Sequence, residues 1–221
     1  MFRLFSLKII NSLFAVFFAP LTFSAPITIH INDNNGQPLK SAVVEVIKQD
    51  SVAAKPDPTP VIMDQVNKRF LPDLILITQG QSVSFPNSDN IRHHVYSFSA
   101  AKPFELKLYA GKPKSSVEFD QNGVVIVGCN IHDSMVGSIY VAKNSAMITD
   151  TDGTVTLDFD PAVDQVSVWH PHQVINPEER AIFDLSEQNL ADSNDGYSLT
   201  IKTAAPPPRD TFGDSFGYDA N

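Results

Sequence analysis

The chain has 221 residues, a formal net charge of -9 and a single cysteine. This length is enough for one substantial β domain, or for one domain with an appendage. The acidic balance argues against nucleic acid and anionic membrane surfaces as partners, because both are themselves negatively charged. One cysteine excludes an internal disulfide, so Cys129 needs another explanation.

The first 24 residues have the pattern of a secretory signal peptide. Arg3 and Lys8 supply a basic start, residues 9–18 an apolar stretch, and Thr22-Phe23-Ser24 a cleavage site. The apolar stretch is shorter than the ~20 residues that span a bilayer, and no later segment reaches that length. We therefore expect a mature chain without a membrane span, in a periplasmic or otherwise exported location.

Short β-rich runs bounded by Gly, Pro, Asn or Asp then predict an all-β protein. The first two runs, residues 27–31 and 42–47, flank the turn sequence Asn35-Gly36 and predict a hairpin. Residues 50–60 are rich in Pro and Ala and predict a loop. Further runs follow at 74–77, 82–85, 94–98, 116–119, 124–127 and 137–141. Without helical crossovers between them, antiparallel pairing in two packed sheets is the expected arrangement.

Beyond Ala142, strand signals continue at residues 154–159 and 165–169. If these strands pair with the N-terminal hairpin, the two ends of the chain form one accessory unit. The proline-rich end of the chain predicts a disordered tail. The sequence-based division is a signal peptide (1–24), a main β domain (25–142), an accessory β segment (143–203) and a disordered tail (204–221).

Two histidines near the end of the last predicted strand raise the question of a second metal site. His170 and His172 flank Pro171, directly after Trp169. A strand that ends in Trp and is followed by exposed histidines is the preferred interpretation, because an amphipathic ring readily lies at the surface.

The segment that begins at Cys129 carries the chemistry. Cys129, His132 and Met135 follow one another at the spacing Cys-x2-His-x2-Met, directly after the apolar run 124–127. A thiolate, an imidazole and a thioether suit copper, above all a trigonal His2Cys site with a weak axial Met. A buried, unreactive cysteine is the alternative. The ordered His132 and Met135 and the exported compartment favour the metal site, which needs one more histidine from upstream.

The upstream ligand has two candidates, His93 and His94. Side chains alternate across a strand, so the two rings point to opposite faces and only one of them can reach the metal. His94, Tyr96 and Phe98 form the more apolar face, which favours His94. The resemblance described next favours His93, and His93 is our prediction.

These residues together resemble the cupredoxin, or blue copper, family. Residues 70–93 resemble the stretch that leads to its first copper histidine, and residues 123–132 resemble its final strand and ligand loop. The exit of the loop is similar to that of plastocyanins, and the Cys-x2-His-x2-Met spacing to that of amicyanins. Residues 93–98 with 129–133 are further similar to exported plastocyanin-like proteins associated with methylamine utilisation. The resemblance covers residues 63–142.

The resemblance implies a Greek-key β-sandwich that binds one copper ion per chain. The His-Asn-Val pattern of the family aligns with His93-His94-Val95, so the implied ligands are His93, Cys129, His132 and Met135, with His94 as the alternative to His93. Gly128 stands where plastocyanins carry an aromatic residue linked to a remote docking patch, so that electron route is expected to be missing.

The function implied is that of an exported type 1 (blue) copper protein, which carries single electrons between redox protein partners. A copper-binding or copper-delivery module without redox cycling is the alternative. The ligand set leaves no open coordination position, which argues against an enzyme.

Overall fold

The computed structural model describes residues 26–48, 55–186, 191–192 and 196–205. Every regular element in these ranges is a β-strand, so the predicted all-β class is confirmed. The predicted signal peptide and residues 206–221 of the predicted tail lie outside the described residues. Within the described part of the chain, no helix is long and apolar enough to cross a membrane.

Residues 61–142 form a sandwich that we call the central unit. Its strands are β3 (Val61–Ile62), β4 (Asp64–Val66), β5 (Arg69–Leu71), β6 (Leu74–Thr78), β7 (Ser82–Ser84), β8 (His93–Ser97), β9 (Phe104–Tyr109), β10 (Val117–Glu118), β11 (Gly123–Cys129) and β12 (His132–Ala142). One sheet has the order β6-β12-β11-β8-β9, a second has the order β10-β7-β3, and β4 pairs with β5. Apolar side chains from these sheets fill one buried core, which includes Cys129 and Met135.

The two ends of the chain form a second sandwich, called here the terminal unit. Its strands are β1 (Ile27–Asn32), β2 (Val43–Ile47), β13 (Ala146–Ile148), β14 (Thr154–Leu157), β15 (Gln165–Trp169), β16 (Ala181–Asp184), β17 (Ala191–Asp192) and β18 (Gly196–Thr200). They make two four-stranded sheets, β14-β1-β18-β17 and β13-β2-β15-β16. Each sheet turns alternate apolar side chains towards a core of its own, separate from that of the central unit.

The predicted hairpin of β1 and β2 is wrong, because the two strands lie in different sheets. The turn itself is present: Gly36 has φ +74°, and the Asp33 carboxylate accepts hydrogen bonds from the backbone of Asn35 and Gln37. After the turn the chain crosses to the opposite sheet, and both strands bury side chains in the same core. The two strands are therefore placed by burial of their side chains on opposite sides of one core, and not by pairing with each other across the turn.

Strand pairing also places the N-terminal strands differently from the sequence-based division at residue 142. β1 pairs with β14 and β18, and β2 pairs with β13 and β15. Residues 27–47 thus belong with the C-terminal strands, whereas that division placed them with residues 61–142. The alternative, in which both chain ends form one unit, matches the pairing.

Three strand pairs are parallel, whereas only antiparallel pairing was expected: β6 with β12, β3 with β7, and β1 with β18. Each pair joins strands that are far apart in the sequence, and a long connection is what parallel pairing requires. The alternation of apolar and polar side chains over residues 104–108 also signals β9, which the sequence analysis overlooked.

The terminal unit packs on the outer face of the five-stranded sheet. Val43 and Trp169 from the terminal unit share a buried cluster with Tyr140 of β12. Glu45, 1% exposed, closes this interface by accepting hydrogen bonds from the Tyr140 hydroxyl, from the Arg180 guanidinium and from two backbone N–H groups. β12 therefore carries His132 at one end and the inter-unit contact near the other.

Candidate metal centre

Strand order brings three predicted ligands to one end of the five-stranded sheet. β11 ends at Cys129 and β12 begins at His132, with a register shift between Gly128 and Cys129. β8 runs antiparallel to β11 on its other side and begins at His93. Because an antiparallel strand starts where its neighbour ends, His93 lies beside Cys129.

The ligand atoms of these side chains form a compact cluster. The sulfur of Cys129 lies 3.7 Å from Nδ1 of His93 and 3.7 Å from Nδ1 of His132, and the three ligand atoms all lie within 4.8 Å of one another. His93 and Cys129 are buried, and His132 is partly exposed. Among the described residues, this is the only group of three or more His, Cys, Asp or Glu side chains arranged to hold a metal ion.

The spacing of the cluster fits one metal ion. Bonds from a first-row metal to imidazole nitrogen and to thiolate sulfur are about 2.0 and 2.3 Å long, which in a trigonal arrangement separates nitrogen from sulfur by about 3.7 Å. Both observed nitrogen-to-sulfur distances are 3.7 Å. One thiolate and two imidazoles are the equatorial donors of a blue-copper site, so the residues present fit copper.

Met135 lies in the same buried region. Its side chain is completely buried and belongs to the core cluster that contains Cys129. Val136, the next residue of β12, is 49% exposed, as alternation along a strand requires. The side chain of Met135 therefore lies on the buried face of β12, in the same core cluster as Cys129.

The two adjacent histidines of β8 lie on opposite faces, as alternation predicts. His93 is completely buried beside Cys129, whereas Nε2 of His94 contacts the carboxylate of Glu105 at 2.9 Å on the outer face. The apolar character of the His94, Tyr96 and Phe98 face was misleading, because Phe98 is 87% exposed. The structure thus brings His93, and not His94, to the cluster.

Asp89 is a site residue that the sequence analysis missed. Its Oδ2 accepts a hydrogen bond of 2.7 Å from Nε2 of His93, and its carboxylate also accepts the backbone N–H groups of Asn67 and Lys68. Burial acts to raise the pKa of Asp89, but the hydrogen bonds from Lys68, His93 and Asn67 outweigh it and hold the pKa below its usual value. The only sequence signal for this role is that an acidic residue lies in the loop before His93.

The electrostatic surroundings of His132 favour a neutral ring. Burial is the main cause that lowers the pKa of His132, and the positive charge of Lys68 acts in the same direction. A lowered pKa means that the imidazole keeps its lone pair to a lower pH than an exposed histidine does. A neutral ring is the form that binds a metal ion.

An aromatic ring lies over Gly128, although residue 128 itself has no side chain. A Cβ at Gly128 would meet the Tyr96 ring at 3.2 Å. Tyr96, Phe98, Val136 and Glu178 are among the residues that line an open groove of about 230 Å³ at this place. The ring of Tyr96, from the adjacent strand β8, thus occupies the space beside Gly128 that a side chain at residue 128 would take.

His170 and His172 belong to no group of three or more candidate metal ligands among the described residues. His170 is buried, contrary to expectation. Its Nδ1 accepts the backbone N–H of His172, and its Nε2 donates to the carbonyl oxygen of Lys40. Both ring nitrogens of His170 are therefore engaged by the backbone.

Solved structures similar to this chain include several copper proteins. A Cu-containing nitrite reductase from Thermus scotoductus SA-01 is 27% identical over 41% of this chain and 24% of its own length, with a TM-score of 0.36. A purple cupredoxin from Nitrosopumilus maritimus is 22% identical over 38% of this chain and 99% of its own, with a TM-score of 0.33. Oxidised plastocyanin from Dryopteris crassirhizoma is 21% identical over 38% and 99%, with a TM-score of 0.32.

These similarities are confined to part of the chain, which spans about a quarter of the length of the nitrite reductase. No protein-family model matches the chain, and no curated protein is significantly similar to it. With every one of these TM-scores below 0.5, the functional assignment depends on the residues of the site.

Proposed function

We propose that the chain is a cupredoxin: a type 1 copper protein that binds one copper ion and carries single electrons between redox protein partners. The observation that carries this proposal is the convergence of His93, Cys129 and His132, with both nitrogen-to-sulfur distances at 3.7 Å. His93 Nδ1, Cys129 Sγ and His132 Nδ1 would hold the ion, and Met135 would be the weak axial ligand. When bound, copper supplies a one-electron couple between Cu(II) and Cu(I).

Strand pairing and burial position these side chains. His93 and Cys129 belong to strands of one hydrogen-bonded sheet, and both are buried. A ligand set fixed in this way needs little rearrangement when the charge of the site changes by one, and a small rearrangement is what fast electron transfer requires. The buried ring of His93 and the surrounding core also exclude water from the Cys129 sulfur, which belongs to a residue that is 3% exposed.

Burial favours an electron carrier over a copper-delivery module. Cys129 is 3% exposed and Met135 is completely buried, so an ion could leave only if the core opened. His132 is partly exposed, and the neighbouring Ile131 and Val136 are about half exposed. An electron can leave through the edge of the His132 ring, and these apolar neighbours provide a surface for contact with a redox protein.

The remaining parts of the proposal come from the sequence. The signal-peptide pattern of residues 1–24 supports a periplasmic or otherwise exported location, where a lone cysteine without an internal disulfide partner is better explained as a metal ligand. The motif of residues 93–98 with 129–133 supports a place among the exported plastocyanin-like proteins associated with methylamine utilisation. A set of four ligands that leaves no position for substrate supports a carrier role and not an enzymatic one.

Voltammetry of the copper-loaded chain, together with a chelator challenge, tests the proposal. An electron carrier gives a reversible one-electron wave and releases copper slowly to a Cu(I) chelator. A delivery module gives rapid transfer to the chelator and no reversible wave, and that result would overturn the proposed function.

A further inference from the structure

We propose that Asp89 is a positioning residue: it fixes the ring tautomer of His93 and thereby raises the copper affinity of the site and lowers its reduction potential. The inference rests on the proposed function, because it concerns the same copper ligand. It adds a residue outside the set of four ligands, and it assigns a separate role to each nitrogen of the His93 ring.

The tautomer follows from the partners of the ring. A carboxylate can only accept hydrogen bonds, so the 2.7 Å contact requires Nε2 of His93 to carry the proton. In a neutral imidazole the other nitrogen then has a lone pair, and Nδ1 is the atom 3.7 Å from the sulfur of Cys129. Asp89 thus presents the lone pair of His93 to the position of the metal.

Asp89 is itself held in the acceptor form by a turn. The backbone N–H groups of Asn67 and Lys68, between β4 and β5, donate to its two oxygens at 2.6 and 2.9 Å. Both turn residues have positive φ, +53° and +57°, a conformation in which successive N–H groups can point to one anion. The side chain of Asp89 is 11% exposed, so water competes little for these bonds.

The loop that carries Asp89 is fixed from its other side as well. Asn87 is buried, and its side-chain oxygen accepts the backbone N–H of Asp89. Its amide group donates to the carbonyl oxygens of Ile91 and Tyr109. Asp89 therefore reaches His93 from a loop that is fastened to β9, and its carboxylate has little freedom to turn away.

A carboxylate on the far nitrogen makes an imidazole a more basic ligand. Outer partners of this kind typically change metal affinity by about 10–100-fold when they are replaced. A more basic ligand stabilises Cu(II) more than Cu(I), because Cu(II) has the higher charge. Each tenfold change in the ratio of the two affinities corresponds to about 59 mV for a one-electron couple.

The same strand provides a matched control. Nε2 of His94 contacts Glu105 at 2.9 Å, so β8 carries two successive histidines, each bound to a carboxylate. Only the pair of His93 and Asp89 faces Cys129. The variants Asp89→Asn and Glu105→Gln make the same chemical change on opposite faces of the strand.

The test compares wild type, Asp89→Asn and Glu105→Gln as full-length mature chains in copper titrations and voltammetry. Asparagine has one acceptor oxygen where Asp89 uses two, so at least one of the donors from Asn67, Lys68 and His93 loses its partner. We expect Asp89→Asn to lower Cu(II) affinity by about 10–100-fold and to raise the reduction potential, with Glu105→Gln equal to wild type. Equal affinities and potentials in all three chains would overturn the proposal.

A measurement on the metal-free wild type needs no variant, and it applies even if Asp89→Asn fails to fold. Ring-nitrogen NMR should show the proton of His93 on Nε2. A proton on Nδ1 would overturn the positioning role even if copper binds as proposed. Failure of the wild type to bind copper, with the proton on Nε2, would instead overturn the proposed function.

Discussion

Each unit buries a histidine, and the two rings meet different partners. In the terminal unit, both nitrogens of His170 are engaged by backbone groups, those of His172 and Lys40. In the central unit, one nitrogen of His93 is engaged by Asp89, and the other faces the sulfur of Cys129. Burial alone therefore does not mark a site. A buried imidazole becomes a candidate ligand when one nitrogen is fixed and the lone pair of the other points to a second donor.

The largest effect should come from removing the ring whose lone pair is free. His93→Ala should abolish the thiolate-to-Cu(II) absorption, because one of the three strong donors is lost. His94→Ala should leave the absorption largely intact, since that ring faces Glu105 on the other side of the strand. Visible spectra of both variants with added Cu(II) make the comparison, and the reverse outcome would assign the site to His94.

The buried carboxylate of the unit interface should affect stability without affecting copper. Glu45→Ala leaves the Arg180 charge and two backbone N–H groups without their carboxylate partner, and breaking a buried pair of this kind costs about 3–5 kcal/mol. Urea unfolding of the metal-free chain measures the loss. The exposed Glu179→Ala should stay within about 0.5 kcal/mol of wild type. A changed copper spectrum in folded Glu45→Ala would show that the interface also shapes the site.

The buried ring of the terminal unit should make the chain sensitive to acid. Burial lowers the pKa of His170 to about 4, with the charge of His172 adding to the effect. In the unfolded chain this ring takes up a proton near pH 6.5, so the unfolded state binds more protons between about pH 6.5 and 4. Stability falls as pH falls through this range, by about 3 kcal/mol from this group.

His170→Gln removes that group, so the difference in unfolding free energy between wild type and variant should shrink by about 3 kcal/mol from pH 7 to pH 4. Denaturant titrations of the metal-free chains at several pH values provide the measurement. A difference that stays constant with pH would mean that His170 is charged in the folded state as readily as in the unfolded one.

The smallest effect should come from Met135. A thioether is a weak, long axial ligand, so Met135→Leu should keep copper bound through the other three side chains and move the reduction potential upward. Voltammetry and copper content of the purified variant measure the two quantities. An unchanged potential and spectrum would remove Met135 from the site and restrict its role to the core.

The proposed copper ligands could be predicted from the sequence, but the contacts that support them could not. The ligand spacing after β11 and the alternation of β8 are local patterns, so Cys129, His132 and the opposite faces of His93 and His94 could be read directly. For Asp89 the sequence offers only an acidic residue in the loop before His93, because the contact itself depends on how Asn87 and the turn at Asn67 and Lys68 fix that loop. The partner strands of β1 lie more than 100 residues away in the sequence, so no local pattern contains them.

The fold shows the same limit. Strand signals predicted the all-β class, yet β1 and β2 read as a hairpin because Asn35-Gly36 is a strong turn signal. Their separation into two sheets follows from burial on both sides of the terminal core, to which β1 contributes Ile29 and β2 contributes Val44. A turn sequence depends on a few neighbouring residues, whereas the sheet that a strand joins depends on packing across the whole unit.

Titration of the full-length mature chain with Cu(II), followed by its visible absorption, tests the central claim most directly. The wild type should bind one ion per chain and develop an intense thiolate-to-Cu(II) band, and Cys129→Ser should lose that band because a hydroxyl does not replace the thiolate. A wild type that stays colourless with Cu(II), or a band that survives in Cys129→Ser, would contradict the assignment of this cluster as a blue copper site.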